Sequence, residues 1–316
     1  MLRSTSPEQL SAIKSFLRQT SRHDGKPADQ IRREMDAAAS AIPLLPATCV
    51  QQTAIGRLQG EWVCTDTGET CPDEIKRIIL YFHGGGFTSG SCAMYRGLAG
   101  RLSEASGVKV LTVQYRLAPE HTYPAANEDC LSAYRWLITN GYPAQNIVLG
   151  GDSVGGSLAL MTLLSLRDAG EALPAGAFLL SPHTDLVHLD GESYRSRAEL
   201  DPTGSQQGNQ AIADAYLGDW PGEPPALLSP LRMELCGLPE LYIQAGDHEV
   251  LLSDATRFAE QATKAGVQVS LEVWDEMWSV FQFMAHMLPE ARQAIANIGR
   301  FVRSALKLPP VGGAIE

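Results

Sequence analysis

Short apolar runs recur along this chain, and each is followed by a stretch with helical spacing. Ile78–Phe82, Val108–Tyr115, Asn146–Gly150, Ala177–Leu180 and Leu241–Ala245 are nearly continuous in apolar residues. Runs of that length and composition predict strands buried on both faces. Val267–Trp274 instead alternates, which predicts a strand near a sheet edge. Helical spacing covers roughly Tyr95–Ser106, Ala126–Thr139, Ser157–Asp168 and Ser253–Ala265. Strand and helix in alternation predict an α/β fold, a mostly parallel sheet flanked by helices.

Two stretches depart from this rhythm. Ser6-Pro7-Glu8-Gln9 forms a capping box with proline at the first helical position. Leu10, Ile13, Phe16 and Leu17 then give one apolar stripe, and a second helix is expected over Pro27–Ser40. Both helices precede the first strand and are free to lie over the sheet as a cap. Residues 183–230 are rich in Gly, Pro, Ser and Asp, with one helix-like piece at Gln210–Leu217. They are expected to complete the cap. The division expected is 1–48 as first cap segment, 49–182 and 231–308 as core, 183–230 as second cap segment and 309–316 as a tail.

Composition narrows the function classes. The net charge of −11 over 316 residues disfavours nucleic acid, whose phosphates would be repelled. No apolar run approaches the ~18 residues that span a bilayer. Met1–Pro7 lacks the apolar stretch of a signal peptide, so a cytoplasmic protein is expected. The six cysteines are scattered, with no zinc-site spacing, and are expected to be free thiols, although Cys64 and Cys71 are close enough in sequence to pair.

The chemistry enters with two glycine-rich segments. Gly151-Asp152-Ser153-Val154-Gly155 lies between a predicted strand and a predicted helix, the context that a nucleophile elbow requires. Glycines two residues either side of Ser153 let strand and helix approach, and the hydroxyl then sits at a helix N-terminus. The competing reading is a glycine-rich turn with an incidental serine. His83-Gly84-Gly85-Gly86 follows the strand Ile78–Phe82 and suits an oxyanion loop. The expected donors are the N–H groups of Gly84, Gly85 and Val154. A dinucleotide loop fails on spacing, because Ser89 holds the third glycine position. His83 is expected to brace this loop, with Asp152 as a further support.

These motifs, with Tyr115-Arg116-Leu117-Ala118-Pro119-Glu120-His121 and Pro124-Ala125-Ala126, resemble the hormone-sensitive-lipase-like family of α/β-hydrolases, bacterial esterases with an HGGG loop. The resemblance covers about residues 50–305. It implies the α/β-hydrolase fold with a helical cap, a small-molecule ester of short-to-medium acyl chain as substrate, and neither metal nor organic cofactor. Family members often carry an Asp-Pro-Leu acid followed by histidine about thirty residues later. Glu249-Val250-Leu251 aligns with the acid, with Asp247 as the alternative or a turn support. The base position then falls on Ser279.

A serine hydroxyl does not accept a proton near neutral pH, so Ser279 cannot act as a triad base. His286 is two helical turns away, ~10 Å if helical, too far for direct transfer. The direction of His248 is open from sequence, and His23 and His121 are expected to be solvated or structural. A metal at His183, Asp185 and His188 lacks any site spacing. Phe87, Tyr194, Leu217, Trp278 and Phe281 are candidate pocket residues, against plain core packing. Met277, Met284 and Met287 are expected as core filler. The 267–274 strand, if exposed, offers an edge for a homodimer. The intact remaining elements favour an impaired carboxylesterase over a non-catalytic small-molecule receptor on the same fold.

Overall fold

The computed structural model of this chain describes residues 5–20, 26–40, 43–66 and 76–309. Among these, the element order is α1 (Pro7–Thr20), α2 (Ala28–Ser40), β1 (Thr48–Ile55), β2 (Leu58–Thr65), β3 (Ile78–Phe82), α3 (Cys92–Ser106), β4 (Lys109–Gln114) and α4 (Ala125–Thr139). There follow β5 (Ile147–Asp152), α5 (Val154–Asp168), β6 (Gly176–Leu180), α6 (Ser193–Ser196), α7 (Gln206–Leu217), β7 (Glu240–Gly246), α8 (Leu252–Lys264), β8 (Val269–Trp274) and α9 (Pro289–Ala305). The eight strands form one sheet in the order β1-β2-β4-β3-β5-β6-β7-β8. β2 runs antiparallel to both β1 and β4, and every pairing from β4 to β8 is parallel.

The apolar runs read as they do because each strand serves two cores. Ile78, Leu80 and Phe82 face one side, where α4, α5 and α8 supply Tyr134, Leu160 and Phe258. Ile79 and Tyr81 face the other, where α1, α3 and α9 supply Leu17, Leu98 and Ile298. Alternating side chains therefore both meet apolar partners, and the period-two signal vanishes from the sequence. β8 ends the sheet, as its alternation predicts, and Val273 stays exposed there.

The first helices form with the expected cap. Ser6 Oγ accepts the Gln9 N–H and Gln9 Oε1 accepts the Ser6 N–H, both at 3.3 Å. The stripe is narrower than predicted. Leu10, Lys14 and Leu17 are buried, whereas Phe16 points outward at 59% exposure. Lys14 takes the inward place because its ammonium finds His248 Nδ1 at 2.7 Å. In α2, Arg32 reaches down to the loops after β3 and β4, donating from Nε to Thr88 O and from Nη2 to Ala118 O, both at 2.7 Å.

Two further differences concern the C-terminal third. The helix expected around His286 starts later, because Pro289 opens α9 and residues 281–286 form a 3-10 turn. Met277 is core as expected, but Met287 is half exposed. Cys49, Cys64, Cys92, Cys130 and Cys236 are free thiols, while Cys71 lies outside the described residues. No described helix is long and apolar enough to cross a membrane.

Candidate active site

Ser153 stands between β5 and α5 with φ 51° and ψ −122°, a conformation that an L-residue adopts only under constraint. Its neighbours impose the constraint. A Cβ on Gly155 would lie 2.1 Å from Phe82 O, and one on Gly151 would lie 2.3 Å from Gly155 O. Only glycine permits strand and helix to approach this closely, and the serine between them absorbs the sharp turn. Val154 is the first helical residue, so its N–H has no intrahelical acceptor.

The His83–Gly86 segment lies beside this turn. His83 is fully buried, stacks on Tyr115 with ring centroids 4.2 Å apart, and holds Gly84 O through Nδ1 at 2.7 Å. Burial pulls its pKa down to about 4, so the ring is neutral at ordinary pH. These contacts hold the ring against the loop. Asp152 is the second brace. Its carboxylate accepts from Tyr81 OH at 2.8 Å, Tyr95 OH at 2.7 Å and Gly84 N at 3.0 Å. Burial pushes Asp152 up to about 6 despite these donors.

These contacts correct one expectation. The Gly84 N–H was expected to face a substrate oxygen, but it is held by Asp152 and by Tyr95 OH at 2.8 Å. A donor already satisfied inside the fold is not free for an oxyanion. Gly85 and Gly86 follow at φ 109° and 63°, left-handed backbone that favours glycine. Among the described residues neither donates a hydrogen bond. The α7 side chain Ile212 abuts Gly86, where a Cβ would meet it at 2.8 Å.

The two acid candidates separate by burial. Asp247 is part-exposed and pairs with Arg197 Nη2 at 3.1 Å, so it holds the surface of the turn. Glu249 is fully buried. Its Oε2 accepts from Ser181 Oγ at 2.8 Å and from Gly246 N at 2.9 Å, while Oε1 has no partner. Burial pushes this carboxyl up to about 8.

Ser181 was not singled out by the sequence, yet it joins the parts. It follows β6 at φ 46°, donates to Glu249, and accepts the Val280 N–H at 3.0 Å. The preceding residue, Leu180, accepts the Ser153 N–H at 2.9 Å. The His183 N–H returns to Ser153 O at 3.2 Å. Residues 180–183 thus tie the Ser153 turn, the Glu249 carboxylate and the loop carrying Ser279 to one short segment. Ser279 itself is partly buried.

The described histidine rings find other partners or face solvent. His183 Nε2 meets Tyr194 OH at 3.2 Å, and burial holds this ring near pKa 4. His188 pairs with Asp185 at 2.9 Å and His248 with Lys14 at 2.7 Å. His121 and His286 are exposed, and His23 lies outside the described residues. Among the described residues no ring nitrogen is hydrogen-bonded to Ser153, and no three His, Cys, Asp or Glu side chains are grouped as metal ligands.

The candidate pocket residues take these places. Phe87 is buried and stacks on Tyr216 at 3.9 Å. Tyr194 is buried, with its hydroxyl accepting from Asn209 Nδ2 at 3.1 Å. Trp278 and Phe281 pack in the core beside α1 and α9, and Lys14 Nζ lies 6.0 Å from the Trp278 ring centre. Leu217 is partly buried at the end of α7.

Comparisons with known proteins identify the family and the fold. The family described as alpha/beta hydrolase fold matches residues 79–283. An acetyl-hydrolase of Streptomyces hygroscopicus is 40% identical over 271 residues, covering 85% of this chain and 88% of that protein. An esterase of Acinetobacter venetianus is 34% identical over 296 residues, covering 93% and 94%. The crystal structure of an esterase from the bacterial hormone-sensitive lipase family superposes with a TM-score of 0.89 at 38% identity, covering 96% of this chain and all of that one. The chain belongs to the alpha/beta-hydrolase fold family, among its hormone-sensitive-lipase-like members.

Proposed function

We propose that this chain is a carboxylic-ester hydrolase whose proton-transfer base is missing at Ser279. Ser153 is the nucleophile, and the free N–H groups of Gly85, Gly86 and Val154 receive the oxyanion. Glu249 is the acid that would orient an imidazole at position 279. Short-to-medium acyl esters are the substrates, held under a cap formed by residues 1–48 and 183–230. The observation that carries this reading is the strained Ser153 turn tied through residues 180–181 to a buried carboxylate with one oxygen unpartnered. That is the arrangement of a nucleophile and an acid with the middle member of the relay absent.

Attack by Ser153 on the carbonyl carbon releases a proton that neither Ser279 nor Glu249 is placed to take and return to the leaving group. Binding and oxyanion stabilisation remain, a residual acceleration on the order of 10³–10⁴ over water. The test is hydrolysis of p-nitrophenyl butyrate by this chain and by Ser279→His. Restoration approaching ~10⁶-fold in kcat, abolished by adding Ser153→Ala, supports the reading. A silent Ser279→His variant that still binds the ester favours a receptor instead. Fast hydrolysis by the unmodified chain overturns the missing base. The free edge of β8 is the proposed homodimer surface, tested by light scattering of a Val273→Lys variant against the parent.

A further inference from the structure

Once ionised, above about pH 8, Glu249 presents a donor-seeking atom at the junction of the site. One carboxylate oxygen has two donors, and the other, buried with it, has none. Leaving such an atom unpaired costs the chain stability. Ser181 connects this carboxylate to the Val280 N–H, so the backbone beside Ser279 is tethered to Glu249. The Ser153 N–H is held by the residue before Ser181. Nucleophile, acid and residue 279 are therefore fixed about one short segment, and Ser279 is partly open to solvent. A serine side chain fills much less of that junction than a ring would.

The ligand that suits the junction must donate to Glu249 and accept from Ser153. An alkyl ammonium offers donors alone, and a carboxylate offers acceptors alone. A neutral azole carries an N–H on one edge and a lone pair on the opposite edge. We infer that this site takes up a small neutral azole, imidazole being the probe, between Glu249 and Ser153, and that the bound azole makes the chain an azole-dependent esterase. This inference rests on the reading of Ser279 given above.

The step balances without any further reagent. As Ser153 Oγ forms its bond to the carbonyl carbon, the Oγ proton passes to the unprotonated ring nitrogen. The azolium returns that proton to the alkoxide oxygen as the C–OR bond breaks, leaving the acyl-enzyme and neutral azole. Water then attacks the acyl carbon and gives one proton to the azole, which passes it to Ser153 Oγ as the acyl group leaves as the carboxylic acid. Glu249 holds the N–H edge throughout.

The experiment follows ethyl butyrate hydrolysis by pH-stat at about pH 9, where Glu249 is ionised and imidazole neutral, with increasing imidazole, since alkyl esters resist attack by free imidazole. A saturable rise of at least ~10-fold, absent in Ser153→Ala, supports the inference. N-methylimidazole, which keeps the acceptor but has no N–H for Glu249, should rescue at least ~10-fold less well. A rate that rises linearly with imidazole and equally in Ser153→Ala overturns the inference. If Ser279→His restores turnover while imidazole does not, the inference falls and the missing-base reading stands. If neither restores turnover, both fall.

Discussion

Ser181 gives its hydroxyl proton to Glu249 at 2.8 Å, and the same oxygen takes the N–H of Val280 at 3.0 Å. Ser181→Ala removes both bonds at once, leaving the part-buried Val280 N–H without its acceptor and Glu249 Oε2 with the Gly246 N–H alone. A loss of about 2 kcal/mol is expected, read as a lower urea midpoint. In the Ser279→His background the same change should lower kcat while KM holds, because it releases the loop carrying the restored base. Unchanged kcat in that background would show that Ser181 does not position the loop.

Glu249 makes stability depend on pH in a defined direction. Burial raises its folded pKa from 4.5 to about 8, so the native chain keeps a proton that the unfolded chain has released. Its contribution is full below pH 4.5 and declines as pH rises through 8, by at most ~1.4 kcal/mol per pH unit. Asp254, raised from 3.8 to about 7, acts in the same direction. Glu249→Gln abolishes the ionisation. Its Tm should gain on the parent as pH goes from 5 to 8, in thermal melts at each pH. A gap that stays constant or narrows would contradict the buried, proton-holding state.

Arg32 makes four hydrogen bonds, to Thr88 O, Ala118 O and both carboxylate oxygens of Glu120. Arg32→Lys cannot reproduce that fork. A loss of about 1–3 kcal/mol is expected, with faster deuterium uptake over residues 84–90. Glu120→Gln should cost far less, since that carboxylate is half exposed and surface pairs contribute little. Equal effects of the two variants would place the value of the clamp in the ion pair rather than in the backbone contacts.

Two helical glycines should respond in opposite ways to alanine. A Cβ at Gly155 would sit 2.1 Å from Phe82 O, and backbone cannot give way there. Gly155→Ala should cost about 3 kcal/mol or prevent folding. A Cβ at Gly97 in α3 would meet nothing within 4 Å, and Gly97→Ala should stabilise by about 0.5–1 kcal/mol. Chemical denaturation of both variants decides it, and a neutral Gly155→Ala would remove the steric account of the elbow.

The core strands were legible because a doubly covered strand has to be apolar throughout, as Ile78–Phe82 is. The β1–β2 hairpin was not placed from sequence, since Gln51, Gln52 and Gln59 face solvent and blur the run. Ser153, His83 and Asp152 stood in local motifs, with Ser153 between β5 and α5, Asp152 at the end of β5 and His83 just after β3. Ser181 belongs to no motif, and its partners are 68 and 99 residues away. Asp247 and Glu249 could not be ranked by residue type; the family resemblance favoured Glu249, and the structure gives the two different partners in the distant Arg197 and Ser181. Nor could spacing tell which way the Gly84 N–H turns, because Asp152 and Tyr95 decide it.

The backward-bent serine at φ 51° is enforced by Gly151, Gly155 and the end of β6, none of which depends on a base at position 279. Holding a non-glycine residue there costs about 1–3 kcal/mol. The chain therefore goes on bearing the conformational burden of a nucleophile whether or not it can use one. On the proposed reading, reactivity in this scaffold is written into packing, and a single side chain decides only whether it is expressed.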